Sequence, residues 1–319
     1  MKINLLKNIT TLIFLFISCI IFQNKLFAQD NALRQKFIKD SIEKEMDSVF
    51  ADASIFKTKS FWLANINYLN NNVYLGRKDS VPSPYVTASL GYFHKSGLFV
   101  NASASYLTEP GQGRIDLAEI DGGYSLITKK FEGILTISKY FFSSESYNVR
   151  SEIEGSADIF SAYDLEFIKP TLQVTLNFGD NTDYAATIGF ERTFFAIKKA
   201  LSITPTVVMN ASTQNYYNNY YRLRRYALKR LEKRFPNFSI TAYIENPSQF
   251  KILDYEGSIP ISYSIKQFSF NFTPSFAIPE NAAIVDATVT TRFGNVTKKI
   301  AKEKLRESFF FTAGVSYSF

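Results

Sequence analysis

The chain has 319 residues, one-fifth of them charged, with a formal net charge of +7, one histidine and one cysteine. Part of that charge comes from Lys2, Lys7 and Lys25 near the start, and the remainder is too small a bias for a nucleic-acid binder. Mean hydropathy is −0.08 with 16% aromatic residues, and no apolar run beyond Ala28 reaches the roughly 20 residues that a membrane-spanning helix needs.

The first residues read as an address. Lys2 and Lys7 precede an apolar run from about Thr11 to Phe22, and Ala28 offers a cleavage position, so residues 1–28 are expected to be a secretory signal peptide. Cleavage there removes Cys19, which leaves no disulfide, thiolate nucleophile or cysteine metal site. Residues 29–56 are expected to be an N-terminal periplasmic segment. Leu33, Phe37, Ile42, Met46 and Val49 give it an amphipathic pattern that suits either a periplasmic helix, a plug or a terminal tail.

From residue 57 to 319 the period of two dominates. Val86, Ala88, Leu90 and Tyr92 alternate with Tyr85, Thr87, Ser89 and Gly91; Phe268, Phe270 and Phe272 alternate with Ser269, Asn271 and Thr273. Segments of about ten residues, apolar on one face and small and polar on the other, are the pattern of a strand between lipid and a lumen. Twelve such segments fall near 60–69, 85–93, 98–107, 116–127, 131–142, 156–168, 171–178, 184–197, 202–213, 251–265, 268–279 and 308–319. Their connections alternate long and short. The short ones are 94–97, 128–130, 169–170, 198–199 and 266–267; the long ones include 70–84, 143–155, 214–250 and 280–307. A soluble sandwich has no reason to sort its loops in this way. The expected fold is therefore all-β: a closed antiparallel transmembrane barrel of about twelve strands, with short periplasmic turns and long extracellular loops.

On the polar parity lie Glu119, Asp121, Asp158, Asp164, Glu166, Asp254 and Glu256, which makes them candidate lumen acids. Glu191-Arg192 breaks the alternation of its strand and marks a bulge or a membrane edge. Opposite in charge is the stretch 215–235, with Arg222, Arg224, Arg225, Lys229, Arg230, Lys233 and Arg234 against Glu232 alone. Leu223, Ala227 and Leu231 recur there at helical spacing, as in a short basic helix. This helix either folds inward as a constriction on the lumen acids, projects outward toward anionic surface lipid or a protein partner, or is a solvated loop. The loop 280–307 carries Lys298, Lys299, Lys302, Lys304 and Arg306 and reads as a helix-like excursion above the barrel.

The last eleven residues, "FFFTAGVSYSF", put Phe309, Phe311, Ala313, Val315, Tyr317 and Phe319 on one face. This stretch resembles the C-terminal signature of Gram-negative outer-membrane β-barrel proteins. The resemblance implies a cell outer-membrane location, outer-membrane lipid as the surroundings, and recognition of Tyr317 and Phe319 by the barrel-assembly machinery. Some barrels of that class are enzymes that use a histidine near the extracellular rim. Here the single histidine, His94, falls in a short periplasmic turn, and no phosphate loop, HExxH or EF-hand pattern occurs, so no catalytic residue, cofactor or metal is expected. Two functions fit. One is a narrow, porin-like channel for small solutes, cation-preferring if the acids line it; the other is a closed scaffold acting through its basic, Tyr-rich loops.

Overall fold

A computed structural model describes residues 59–79, 81–223, 238–291 and 296–319; the leader and the segment 29–56 lie outside the described residues. The period-two segments form strands, each paired antiparallel with the next: β1 (Phe61–Leu69), β2 (Tyr85–Phe93), β3 (Leu98–Leu107), β4 (Arg114–Ile127), β5 (Phe131–Phe142), β6 (Ile153–Tyr163), β7 (Lys169–Gly179) and β8 (Asp183–Glu191). Next come β9 (Phe194–Ala196), β10 (Leu201–Ile203), β11 (Thr206–Ser212), a helix α1 (Asn215–Leu223), β12 (Phe238–Ile244), β13 (Lys251–Ser258) and β14 (Ile261–Ile265). The chain finishes with β15 (Phe268–Pro279), β16 (Ile284–Thr291), β17 (Val296–Lys302) and β18 (Ser308–Ser318).

Three staves of the barrel are each broken into two strands, β8 with β9, β10 with β11, and β13 with β14. Two of the breaks fall at Pro205 and Pro260, which have no N–H to give to the ladder. Their carbonyls still serve, accepting from Arg192 N (3.2 Å) and Thr204 N (2.8 Å). The third break follows Glu191, where the alternation lapses in the sequence. Counted this way, twelve staves close into one antiparallel barrel. β18 completes it, pairing with β15 on one side and with β1 on the other, from Leu63↔Ser318 to Leu69↔Thr312. At the seam Trp62 N donates to Phe319 O (2.8 Å) and Phe319 N to Trp62 O (3.0 Å), so the terminal aromatic is held by the first strand.

The wall is inverted relative to a water-soluble sheet. Ile66, Leu90, Val100, Ile137, Leu172, Ile188 and Phe270 point outward and are exposed, while Asn65, Ser89, Asn101, Ser138 and Gln173 point inward. Burying polar groups and exposing apolar ones is stable only where hydrocarbon is the solvent. Outward aromatics flank the belt at both ends. Trp62, Tyr124, Phe131, Tyr163, Phe190 and Tyr317 stand near the short turns, and Tyr68, Tyr106, Phe141, Phe178 and Tyr184 near the long loops. This is the architecture of an outer-membrane β-barrel.

Two expectations about the loops change. The connection 180–182 between β7 and β8 is as short as the turns at the opposite end, so the long–short alternation has an exception. Among the described residues of the loop 280–307, strands stand where a helix-like excursion was expected. β16 and β17 form a hairpin that joins β12 in a separate three-stranded sheet. β-Branched residues explain this outcome, since Ile284, Val285, Thr288, Val289, Thr290 and Thr291 favour a strand over a helix whatever the charge of their neighbours.

Close backbone approach gives a test of the wall. A Cβ at the inward-facing Gly123 of β4 would lie 1.9 Å from the Leu135 carbonyl oxygen, whereas one at Gly257 would meet nothing within 4 Å. Gly123→Val is expected to abolish the folded, heat-modifiable band on unheated SDS gels, and Gly257→Val to retain it.

Candidate functional site

The lumen beneath the long-loop end is acidic and its mouth is filled. Glu119 and Asp121 of β4, Asp158 of β6, and Asp254 and Glu256 of β13 project inward. Asp121 accepts from Asn101 Nδ2 (2.9 Å); Asp158 accepts from Ser156 Oγ (2.6 Å), Thr175 Oγ1 (2.5 Å) and Gln173 Nε2 (3.1 Å). Asp164 and Glu166 do not belong to this set. They sit in the β6–β7 turn, where Glu166 pairs with Lys130 (3.0 Å) and Asp164 approaches Arg192 (4.0 Å). The predicted strand ran a few residues too far, which carried both into the lumen on paper.

The filling at the mouth begins with residues 70–84. Tyr74 and Arg77 exchange backbone hydrogen bonds (2.8 and 2.9 Å) across a two-residue turn in which Leu75 and Gly76 both have positive φ, 49° and 69°. Such a turn reverses the chain in the least space. Gly76 is required twice over, because a Cβ would come within 2.8 Å of Asp254 Cβ and 3.0 Å of Pro279 Cβ. The hairpin thus reaches the β13–β15 wall. Its other arm crosses the mouth: the Tyr74 hydroxyl accepts from Asn177 Nδ2 on β7 (3.3 Å), on the far side of the barrel from β1 and β2.

Arg77, at the base of this hairpin, has no exposed side-chain surface. Its guanidinium donates to the carbonyls of Glu280 (2.8 Å), Asn281 (3.0 Å) and Leu253 (3.5 Å), lies 3.5 Å from Glu303, and sits over the Tyr217 ring. Arg150, from the loop after β5, stacks its guanidinium over the rings of Tyr74 (5.2 Å) and Tyr140 (4.8 Å), within electrostatic reach of Glu119 and Asp158. Each acidic wall therefore has one plug arginine above it.

Helix α1 completes the plug. Asp183, at the start of β8, caps it by accepting from the backbone N–H groups of Asn215 and Tyr216 (2.7 Å each) and from Thr213 Oγ1 (2.6 Å). Tyr216, Tyr217, Tyr220 and Tyr221 are at most 3% exposed, packed against the inward-facing Leu117 and Tyr140, against Val149 and Ile153, and against Ala242, Ile244 and Val285 of the three-stranded sheet. Tyr217 donates to Glu303 (2.5 Å) and Tyr220 to Asp79. Burial raises the Tyr216 and Tyr217 phenols well above their ordinary range, and neighbouring Glu303 adds to the effect at Tyr217.

The expected basic helix is therefore a tyrosine helix where it is described. Arg222 lies 3.7 Å from Asp180 at the rim and meets no lumen acid, while Arg224, Arg225, Lys229, Arg230, Lys233 and Arg234 lie outside the described residues. The tyrosines face the core, not a partner. Arg77, Arg150 and Asp183 went unrecognised in the sequence because each is a single charge in a polar loop or at a strand end. Their one local signal was Leu75-Gly76, a turn step beside a basic residue.

No family model matches the sequence, and no curated protein matches it. Among solved structures the chain is similar to the KdgM porin, at 10% identity and a TM-score of 0.44, over 81% of this chain and 99% of that one. It is also similar to LpxR from Salmonella typhimurium (11%, TM-score 0.38, 80% and 99% covered) and to OprG from Pseudomonas aeruginosa (10%, TM-score 0.30, 82% and 97% covered). At these values the likeness is one of barrel architecture. The barrel and its lipid-facing belt place the chain in the cell outer membrane.

Two outcomes test the plug. Arg77→Ala leaves the Glu280 and Asn281 carbonyls without their donor and Glu303 without its cation, and is expected to lower the opening free energy of the plug by about 2–4 kcal/mol, read as faster amide exchange at residues 74–77. A raised phenol pKa stabilises the packed form below the unfolded value and ceases to do so as pH climbs past it. The helix is therefore expected to detach as pH rises beyond about 10, followed by tyrosine absorbance against pH.

Proposed function

We propose that the protein is an outer-membrane channel for small solutes, preferring cations, whose extracellular mouth is occluded in this conformation by the Arg77–Tyr217–Glu303 plug. The observation that carries the reading is the inward face at mid-barrel. Asn65, Ser89, Asn101, Glu119, Asp121, Asp158, Gln173, Thr175 and Ser316 are polar, and most are only partly buried. A barrel serving only as a scaffold gains by packing its interior with apolar side chains, whereas here the inward apolar side chains gather at the plug and toward the turns, among Phe61, Leu63, Phe93, Phe99, Ile134 and Phe160, with Val208 beside Glu256. An acidic lining in a low-dielectric wall raises local cation concentration and repels anions.

A non-catalytic role accords with the position of His94. It lies in an exposed turn at the end opposite the plug, and its Nδ1 contacts Ser96 Oγ (2.8 Å). The scaffold reading loses support because its contact tyrosines are buried. Assembly through the terminal strand, with Tyr317 and Phe319 presented to the barrel-assembly machinery, belongs to this proposal as well. So does contact of the exposed Lys298, Lys299 and Lys302 with anionic surface lipid.

The test is conductance of the refolded chain in a planar bilayer under a salt gradient. The native chain is expected to be nearly silent. Arg77→Ala is expected to open steady, cation-selective currents, and Glu119→Gln with Asp158→Asn added to it to shift the reversal potential toward zero. Silence of Arg77→Ala, once its fold is verified, would sink the channel reading.

A further inference from the structure

The outer wall carries one feature that lipid does not explain. Between β3 and β7 it is recessed by about 520 Å³, with Gly122 and Gly155 in the recess and Val100, Ile120, Ile137 and Phe178 around it. In this recess Lys139 Nζ lies 3.0 Å from Glu154 Oε2, with 52% and 65% of the two side chains exposed. Glu154 is the extra residue of a bulge, since β6 pairs Ile153 with Gly179 and then Gly155 with Phe178, and the bulge aims its side chain at Lys139. Lys139 points outward, one pleat inside the girdle residue Phe141.

We propose that this recess is the contact face of a symmetric dimer, with a second copy of the chain as its occupant. Lys139 pairs with Gly155 across the ladder and Glu154 is next to it, so the two charges lie side by side at one depth. Viewed from outside, each copy shows the same left-to-right order of charge. When two barrels inserted in the same direction face each other across a two-fold axis along the membrane normal, that order reverses. Lys139 then meets the other copy's Glu154, and Glu154 the other copy's Lys139. Self-complementarity is what a two-fold interface requires, and it gives both charges a second partner where lipid gives none. Glycine in a strand where another backbone draws near serves the same end, and the apolar walls supply the packing. An anionic lipid headgroup fits less well, because Glu154 stands beside Lys139, the only cation among the described residues that line the recess.

The experiment is thiol cross-linking of the folded chain in vesicles, with Ile137→Cys beside the recess and Phe270→Cys on a distant stave as control. Dimers are expected from Ile137→Cys alone. They are expected to fall about tenfold with Gly122→Leu, whose Cβ lies in tight contact, 3.2 Å, with the Phe99 carbonyl oxygen and requires a small shift of that backbone, and with Lys139→Glu, which leaves the backbone unchanged. The double exchange Lys139→Glu with Glu154→Lys is expected to restore them. Each variant is verified as folded by heat-modifiable mobility, and because no current is measured, failure of the channel reading leaves this result standing. Equal cross-linking at both walls, no cross-linking at either, or a monomer retaining lipid that Gly122→Leu displaces would overturn the dimer.

Discussion

A strand in hydrocarbon has no water to fall back on, so every N–H and C=O along the wall must find a partner in a neighbouring strand. Closure follows from that constraint, and much of the remaining structure follows from closure. The last strand has to reach the first, which is why Trp62 and Phe319 exchange hydrogen bonds at the seam. Pro205 and Pro260 fall where the ladder is interrupted, while Pro170 and Pro274 are carried within β7 and β15. The apolar residues that would make a core in water form the outer belt, and the barrel has to find its internal contacts elsewhere.

It finds them at the mouth. The acids of β4, β6 and β13 would repel one another across a narrow lumen, and Arg77 and Arg150 reach in from two different loops toward opposite walls. Neither arginine is held by a carboxylate alone. Carbonyls, a glutamate and a tyrosine ring surround Arg77, and two aromatic rings bracket Arg150. Desolvated guanidinium groups are stable in such company because planar donors and aromatic faces replace their water.

How much of this was legible depended on whether the determining pattern was local. All twelve staves were, because lipid on one side and a polar lumen on the other impose a period of two on each strand. Even the lapse at Glu191-Arg192 corresponded to a real break. Asp121 and Asp158 could be given a face by parity alone. Asp164 and Glu166 could not, since parity says nothing about where a strand ends. The hairpin at Leu75-Gly76, the cap from Asp183 and the Arg77 network were illegible because their partners come from elsewhere in the ring. Charge density drew attention to residues 222–234, whereas the buried cations are isolated ones. The hairpin β16–β17 was misread because its lysines suggested a solvated helix, although its β-branched residues outweigh them.

The partners of the plug are separated by long stretches of chain: 103 residues from Tyr74 to Asn177, 141 from Asp79 to Tyr220, and 203 from Arg77 to Glu280. These residues approach one another only after the staves that carry them have been set side by side. Packing of the plug is thus the last event in the making of the protein, and it depends on correct closure. A barrel caught with a missing stave has neither the far wall for Tyr74 nor the carbonyls for Arg77. Such a molecule would present the Tyr74–Arg77 hairpin and the tyrosine helix without anchorage, so the finished plug is itself a record that the ring was completed.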